Sequence, residues 1–196
     1  MRLEKANTLS PRDGKNISNE HMEAALMAGY NMSHPLATFL TSIILPSVGK
    51  PGATTFDLTD LRKHNAIEHD VSLTRHDFAQ GDNYTLQPDM LEALLKDTGD
   101  GPATAKTFAK SRIRRTKESK LAGVPKLSLK LVFISVFNWG SALLVLGPSG
   151  IPKEDLTTFF TEERSPLDLP LKRHLTMFNY ILQGFRVWWH NYVHMG

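Results

Sequence analysis

The sequence predicts an all-α fold, a single compact multi-helix domain over residues 1–196. Apolar residues recur at the three- and four-residue spacing of helices along most of the chain, and Gly and Pro separate these stretches. The sequence contains neither an internal repeat nor the alternation of strands and helices of a parallel sheet. With 41% hydrophobic residues, a chain of 196 residues can build a sizeable core. At most a short β-hairpin is expected beside the helices.

The N-terminal half predicts four helices. Ser18 or Asn19 can cap a helix that runs to Tyr30, because short polar side chains accept hydrogen bonds from the first free N–H groups. Ser33 can cap the next helix, whose apolar positions are Leu36, Phe39, Leu40, Ile43 and Ile44. After a turn-rich linker over 46–55, two further helices are predicted at about 58–68 and 72–80.

The C-terminal half predicts five more helices. They begin at or near Pro88, Ala103, Leu131, Lys153 and Leu171. The stretch 131–147 is uncharged and 17 residues long, short of the roughly 20 that a bilayer span requires, so a buried central helix is expected and no membrane span. The basic run 110–120 is interpreted as a solvated helix face, and the C-terminal stripe of Phe185, Trp188, Trp189 and Tyr192 as core packing or else as a partner face.

Composition excludes several classes of protein. The net charge of +3 is too small and dispersed to indicate a nucleic-acid partner. The chain has no cysteine, which excludes a disulfide scaffold, a Cys-ligated metal site and a cysteine nucleophile. The first residues lack the apolar run of a secretory signal, so a cytoplasmic location is expected.

The densest group of polar side chains lies between His64 and Asp77. Glu68 and Ser72 are four residues apart, so on a helix they could share a hard cation such as Mg or Mn. His69 could act as a base or donor if a neighbour such as Asp70 fixes its ring. The alternative is a capping and salt-bridge cluster between two helices. A hydrolase triad of Ser141, His69 and Asp70 is disfavoured, because the residues around Ser141 lack the GxSxG turn.

Several segments, in order along nearly the whole chain, resemble the fungal chloroperoxidase and unspecific peroxygenase family, which are heme-thiolate peroxidases of all-α fold. They are Pro-Arg-Asp-Gly-Lys-Asn-Ile at 11–17, Asn-x-Ile-Glu-His-Asp-x-Ser-Leu-x-Arg at 65–75, Phe-Ala-Lys-Ser-Arg-Ile-Arg-Arg at 108–115, Gly-x-Ala-Leu-Leu at 140–144 and Phe-Phe-x-x-Glu-Arg at 159–164.

The resemblance implies a heme whose axial thiolate comes from a Pro-Cys-Pro motif ahead of the 11–17 segment, yet this chain has no cysteine. It also implies a glutamate that cleaves peroxide beside the motif histidine, and Ser141 occupies the matching position. A serine hydroxyl cannot take the peroxide proton as a carboxylate does. The family's structural cation maps onto Glu68, the His69 carbonyl and Ser72, and without a heme propionate it would lose one ligand.

These departures lead to three hypotheses. The first is a heme-independent cyclase of Diels–Alder type in fungal secondary metabolism, which acts without a cofactor on a lipophilic polyene or terpenoid. In this hypothesis the substrate pocket is lined by Ile67, Phe137 and Leu144, and its polar groups are His69, Asp70 and Ser141. The second is a peroxidase that keeps heme through a histidine, His34 or His21. The third is a noncatalytic protein that binds a hydrophobic metabolite.

Overall fold

The chain is described by a computed structural model that covers residues 13–49 and 51–195. Pro11 and Arg12 of the first matching segment lie outside the described residues. The predicted all-α class is confirmed, because helices dominate the described ranges and the strands are one two-residue pair. The described residues form two compact units: one comprises the residues up to Glu68 together with Leu167–Asn179, and the other comprises His69–Pro166 and the residues from Tyr180 onward. That the whole chain is one domain stays a prediction.

The first unit combines a short antiparallel pair with three helices. Strands β1 (Ile17–Ser18) and β2 (Thr55–Phe56) pair antiparallel, but three helices lie between them along the chain, so the pair is not the β-hairpin expected from sequence. Helices α1, α2 and α3 span Asn19–Tyr30, His34–Ser42 and Ile44–Val48. Helix α1 begins where predicted, since the Ser18 hydroxyl accepts the N–H of His21 at 3.2 Å. A small core unites side chains from these elements: Ile17, Val48, Phe56 and Ala66.

The two helices predicted between residues 58 and 80 are wrong. The first reduces to a 3₁₀ helix, Leu58–Arg62, and the second to a single 3₁₀ turn, Phe78–Gln80. Asn65 and Val71 adopt positive φ angles of 62° and 66°, which end any helix in this region. The chain between the two turns is therefore loop.

The second unit is built from five helices: α4 (Pro88–Asp97), α5 (Ala105–Leu121), α6 (Leu129–Leu146), α7 (Lys153–Thr161) and the part of α8 (Met177–Met195) from Tyr180 onward. The last begins six residues later than predicted, because Thr176 accepts the N–H of Asn179 and so caps it. Its core side chains come from every one of these helices and include Leu94, Phe108, Leu143, Leu156 and Val187.

Helix α6 is the one helix in the described ranges that is long and apolar enough to cross a membrane by length and composition alone. Core helices of globular proteins meet the same criterion. Seven of its residues are buried, and Val136, Leu143 and Leu146 belong to the core of the second unit. The buried helix predicted from the sequence is therefore confirmed for the later turns of α6, whereas Leu129 and Phe133 near its start are exposed.

The core-packing interpretation of the C-terminal aromatic stripe is wrong. Trp188 and Trp189 are 44% and 50% exposed, and Phe185 and Tyr192 are also exposed. The opposite face of α8, which carries Gln183 and Asn191, is the buried one.

Candidate functional site

His69 begins a buried loop in the second unit. Its Nδ1 lies 2.6 Å from the main-chain carbonyl oxygen of Asp70. A carbonyl oxygen can only accept, so Nδ1 must carry the proton, and in the neutral ring Nε2 then holds the lone pair. The sequence predicted that Asp70 would fix this ring; the bond at Nδ1 comes from its main chain.

The carboxylates of Asp70 and Asp77 brace this loop. Asp70 Oδ1 accepts the N–H of Phe78 at 2.7 Å, and Asp77 Oδ1 accepts the N–H of Val71 at 2.7 Å. The second bond is made by the N–H of Val71 itself, which has a positive φ that is unfavourable for a β-branched residue. The conformation of the loop therefore depends on side-chain acceptors. These carboxylates therefore have a structural role, but the capping cluster between two helices is not found, because the residues from His69 to Asp77 form a loop.

Asp77 also joins the loop to helix α5. Its Oδ2 accepts the Ser119 hydroxyl at 2.5 Å and lies 3.2 Å from Nη2 of Arg115. Arg115 in turn donates Nε to the Ser72 carbonyl at 2.8 Å and Nη1 to Glu118 at 2.7 Å. Because Asp77, Arg115 and Ser119 are all buried, this network is a structural support for the loop that carries His69.

The interpretation of the basic run on α5 as a solvated face is therefore wrong for two of its members. Arg115 is buried in the network above, and Arg112 is buried with Nε 3.0 Å from the Ser135 hydroxyl and Nη1 3.4 Å from Asn191. Burial lowers the pKa of Arg112, because both of these partners are neutral. The lysines at 110, 117 and 120 are exposed, as predicted.

Ser141 lies one turn after Phe137 on helix α6, and its Oγ donates to the Phe137 carbonyl at 2.9 Å. The buried phenol of Tyr180 hydrogen-bonds to the Ser141 hydroxyl, and its ring lies 5.3 Å from that of Phe137. Burial raises the pKa of Tyr180, and the bond from Ser141 offsets only part of this effect. The pair is therefore uncharged at neutral pH.

Two glycines allow the side chains of α6 and α8 described above to meet. A β-carbon on Gly140 would lie 2.7 Å from the main chain of Gly184, and one on Gly184 would meet the ring of Phe137. Helices α6 and α8 thus cross at a distance that only glycine permits. Tyr180 is one turn before Gly184 and points to the same side of α8. Sequence reasoning missed Tyr180, and its i, i+4 relation to a glycine is the signal that indicates it.

The remaining predicted residues are distributed between the two units. In the first, Ile67 packs against the small core, and Oε2 of Glu68 is 2.9 Å from Nδ1 of His64. In the second, Leu144 is buried, and the Ser72 hydroxyl lies 3.4 Å from the N–H of Thr74. Within the described ranges, no three His, Asp or Glu side chains converge as a metal site would require. The cation at Glu68 and Ser72 stays a prediction.

The two histidines considered as heme ligands lie in helices α1 and α2. Nε2 of His34 is 2.9 Å from Glu23, and its side chain is 70% exposed. His21 is exposed at the start of α1. An axial ligand has to be held in the buried environment of the heme, so neither position suits that role.

Comparison with known proteins agrees with the resemblance found in the sequence. The family model described as Peroxidase, family 2 matches residues 9–181. No curated protein matches the chain. The matched range includes the His69 loop, the α5 network and the Ser141–Tyr180 pair, and it covers well over half of the sequence. The chain therefore belongs to peroxidase family 2, the chloroperoxidase family.

Proposed function

We propose that this protein is a heme-independent cyclase that folds a lipophilic polyene or terpenoid into a reactive conformation for a Diels–Alder-type ring closure. One observation carries the proposal. At the position where the family resemblance implies a peroxide-cleaving glutamate, the chain has Ser141, bonded to the buried phenol of Tyr180. The pair offers hydrogen bonds and no carboxylate, so it suits the polarisation of a neutral substrate and not the deprotonation of a peroxide.

The residues of the chain do not fit a heme-thiolate. The sequence holds no cysteine, His34 is engaged with Glu23, and His21 is exposed. With no suitable axial donor among these residues and no acid-base carboxylate at 141, we derive no step through heme.

The positions of the two hydroxyl protons decide what Ser141 and Tyr180 can offer a substrate. Ser141 gives its single proton to the Phe137 carbonyl, so in the neutral pair its Oγ accepts from the Tyr180 hydroxyl, and it would turn its proton to Tyr180 only if the phenol were ionised. Because burial raises the pKa of Tyr180, the phenol keeps its proton at neutral pH. A substrate carbonyl that accepts the hydrogen bond of the Tyr180 hydroxyl in place of Ser141 exchanges one hydrogen bond for another. Polarisation of the carbonyl then activates a conjugated double bond toward ring closure.

His69 is the second polar group in the proposal. With Nδ1 bonded to the Asp70 carbonyl, the neutral ring is held as a hydrogen-bond acceptor at Nε2, and a substrate hydroxyl would bond there by exchange with the present surroundings of the ring. Phe137 and Leu144, which belong to the same unit as these polar groups, would provide apolar lining. A lining of this kind contributes by orientation, since holding two reacting ends together removes much of the entropic barrier. The setting we propose is fungal secondary metabolism in the cytoplasm.

The test is turnover of a linear polyene that bears a carbonyl-activated alkene, with product measured against the spontaneous rate. Tyr180→Phe removes only the hydroxyl and should lower the rate about tenfold or more, the usual effect of losing one activating donor. The matched control is Tyr84→Phe, at an exposed tyrosine of the same unit, which should leave the rate unchanged.

Two results would contradict the proposal. One is a rate no higher than the spontaneous cyclisation across a panel of such polyenes. The other is a stoichiometric Soret band when the protein is mixed with hemin, since this would establish a heme site that the donor set does not indicate.

A further inference from the structure

Helix α8 carries its largest apolar side chains on its exposed face. Its buried face mixes Val187 and Tyr180 with the polar Gln183 and Asn191, whereas its exposed face is almost entirely apolar. We define the aromatic face of α8 as the five exposed side chains Ile181, Phe185, Trp188, Trp189 and Tyr192. They follow the three- and four-residue spacing of one helix side. An exposed contiguous apolar surface of this kind marks a site of interaction.

The aromatic rings of this face contact one another. Phe185 lies 5.5 Å from Trp188 and 6.4 Å from Trp189, and Trp188 stacks on Tyr192 at 5.7 Å between ring centroids. Trp and Tyr combine an apolar ring with a polar group, and both are enriched where a bilayer meets water. Between Tyr180 and Val193 the helix has one charged residue, Arg186, and no carboxylate. An anionic surface would meet no repulsion from this helix.

Helix α6 lies beside α8 and carries further exposed apolar side chains. Its Gly140 approaches Gly184, and Arg112 bonds to both Ser135 and Asn191, so α6 and α8 run antiparallel. The N-terminal end of α6 therefore lies toward the C-terminal end of α8. That end of α6 carries Leu129, which is 89% exposed.

Basic residues flank the exposed end of α6. Lys126 and Lys130 are exposed on either side of Leu129, and Leu121, at the end of α5, is also 89% exposed. Lysines beside exposed leucines and tryptophans form the pattern of a segment that lies in the headgroup region, with apolar side chains inserted and ammonium groups at the phosphates.

We propose that the aromatic face of α8, together with the N-terminal end of α6, docks on the surface of an anionic lipid bilayer. The flanking lysines favour a bilayer over a second copy of the chain. A two-fold contact through this face would bring Lys126 and Lys130 of both copies to one surface, where helix α8 offers no carboxylate to pair them, whereas anionic headgroups neutralise them.

The experiment is co-sedimentation of the purified full chain with vesicles of phosphatidylcholine and phosphatidylserine, compared with phosphatidylcholine alone. We expect binding to the mixed vesicles that weakens with salt. Intrinsic fluorescence should also shift to the blue, since two of the three tryptophans lie on the aromatic face. The double variant Trp188→Ser/Trp189→Ser should reduce binding about tenfold or more. Lys126→Gln/Lys130→Gln should reduce it about tenfold on the mixed vesicles only.

The matched control is Phe159→Ser, at an exposed aromatic residue on α7 of the same unit, which should bind as the wild type does. Circular dichroism checks the fold of each variant, and Tyr192→Ser, at a more exposed position, serves if the tryptophan pair does not fold. A wild type that stays in the supernatant with both vesicle types would overturn the proposal. So would light scattering that shows a dimer without lipid, made monomeric by the tryptophan substitutions.

Discussion

Replacing Asp77 by Asn tests whether the buried network on α5 holds the His69 loop. The substitution keeps the shape of the side chain and one oxygen, which can still accept the N–H of Val71. The new NH₂ group replaces the carboxylate oxygen that lies 3.2 Å from Nη2 of Arg115. Two hydrogen-bond donors then face each other at this contact. Ser119 can rotate its hydroxyl and accept, so the main loss falls on Arg115.

The expected loss in the free energy of unfolding follows from the burial of the Asp77–Arg115 ion pair. Removal of one partner from a buried ion pair costs about 3–5 kcal/mol, because the other charge stays buried. Arg115 keeps its bond to Glu118 at 2.7 Å, which places the expected loss at the lower end, about 3 kcal/mol. For a chain of this size, that corresponds to a melting temperature lower by about 6–12 °C.

The assay is urea unfolding followed by circular dichroism, with Glu162→Gln as the matched control. Glu162 also binds an arginine, Arg164, at 2.6 Å, but both side chains are more than half exposed, so the same chemical change should cost about 0.5 kcal/mol or less. A loss below about 1 kcal/mol for Asp77→Asn, or an equal loss for the control, would refute the reasoning.

Two further substitutions test the packing of α6 on α8 and the electrostatics of Asp97. Gly140→Ala places a β-carbon 2.7 Å from the main chain of Gly184, so it should lower the free energy of unfolding in urea by about 1–3 kcal/mol. The control is Gly29→Ala in α1, where a β-carbon meets no atom within 4 Å, and it should be neutral or stabilising by about 0.5–1 kcal/mol. Equal effects of the two substitutions would contradict the close helix crossing. Asp97 loses solvation, which raises its pKa, but bonds from Ser111, Arg114 and Lys110 outweigh this and lower it. Because the pKa is lowered in the folded state, the carboxylate adds stability that is fully present above its unfolded pKa of about 4 and is lost as the pH falls from there through the lower folded-state pKa. Asp97→Asn should therefore flatten the acid limb of stability against pH, and an unchanged limb would count against these bonds.

The helices could be predicted because their signals are local. Ser18 caps α1 and Pro88 opens α4 as expected, since a cap or a proline acts on groups within one turn. The helices expected between 58 and 80 fail because Asp70 and Asp77 give their carboxylates to distant main-chain N–H groups and stabilise a loop with positive φ at Val71. Periodicity cannot detect acceptors six or eight residues away.

The site was predictable only in part. The sequence alone drew attention to His69, Asp70 and Ser141 and identified the family. It did not indicate Tyr180, because the partner of Ser141 is 39 residues further on and reaches it only where two glycines let α6 and α8 cross. Side chains on separate helices meet through packing, which no single segment encodes.

Local residue patterns are enough to predict the helical class, most helix boundaries, the family and the lack of a cysteine ligand among these 196 residues. Which polar and apolar groups are buried follows only from the packing of the helices. Arg112 and Arg115 are inside and the tryptophans of α8 are outside, the reverse of what residue type predicts. The physical reason is that burial depends on partners: a guanidinium is tolerated inside where oxygens surround it, and an aromatic face stays exposed where no element of the described chain packs on it.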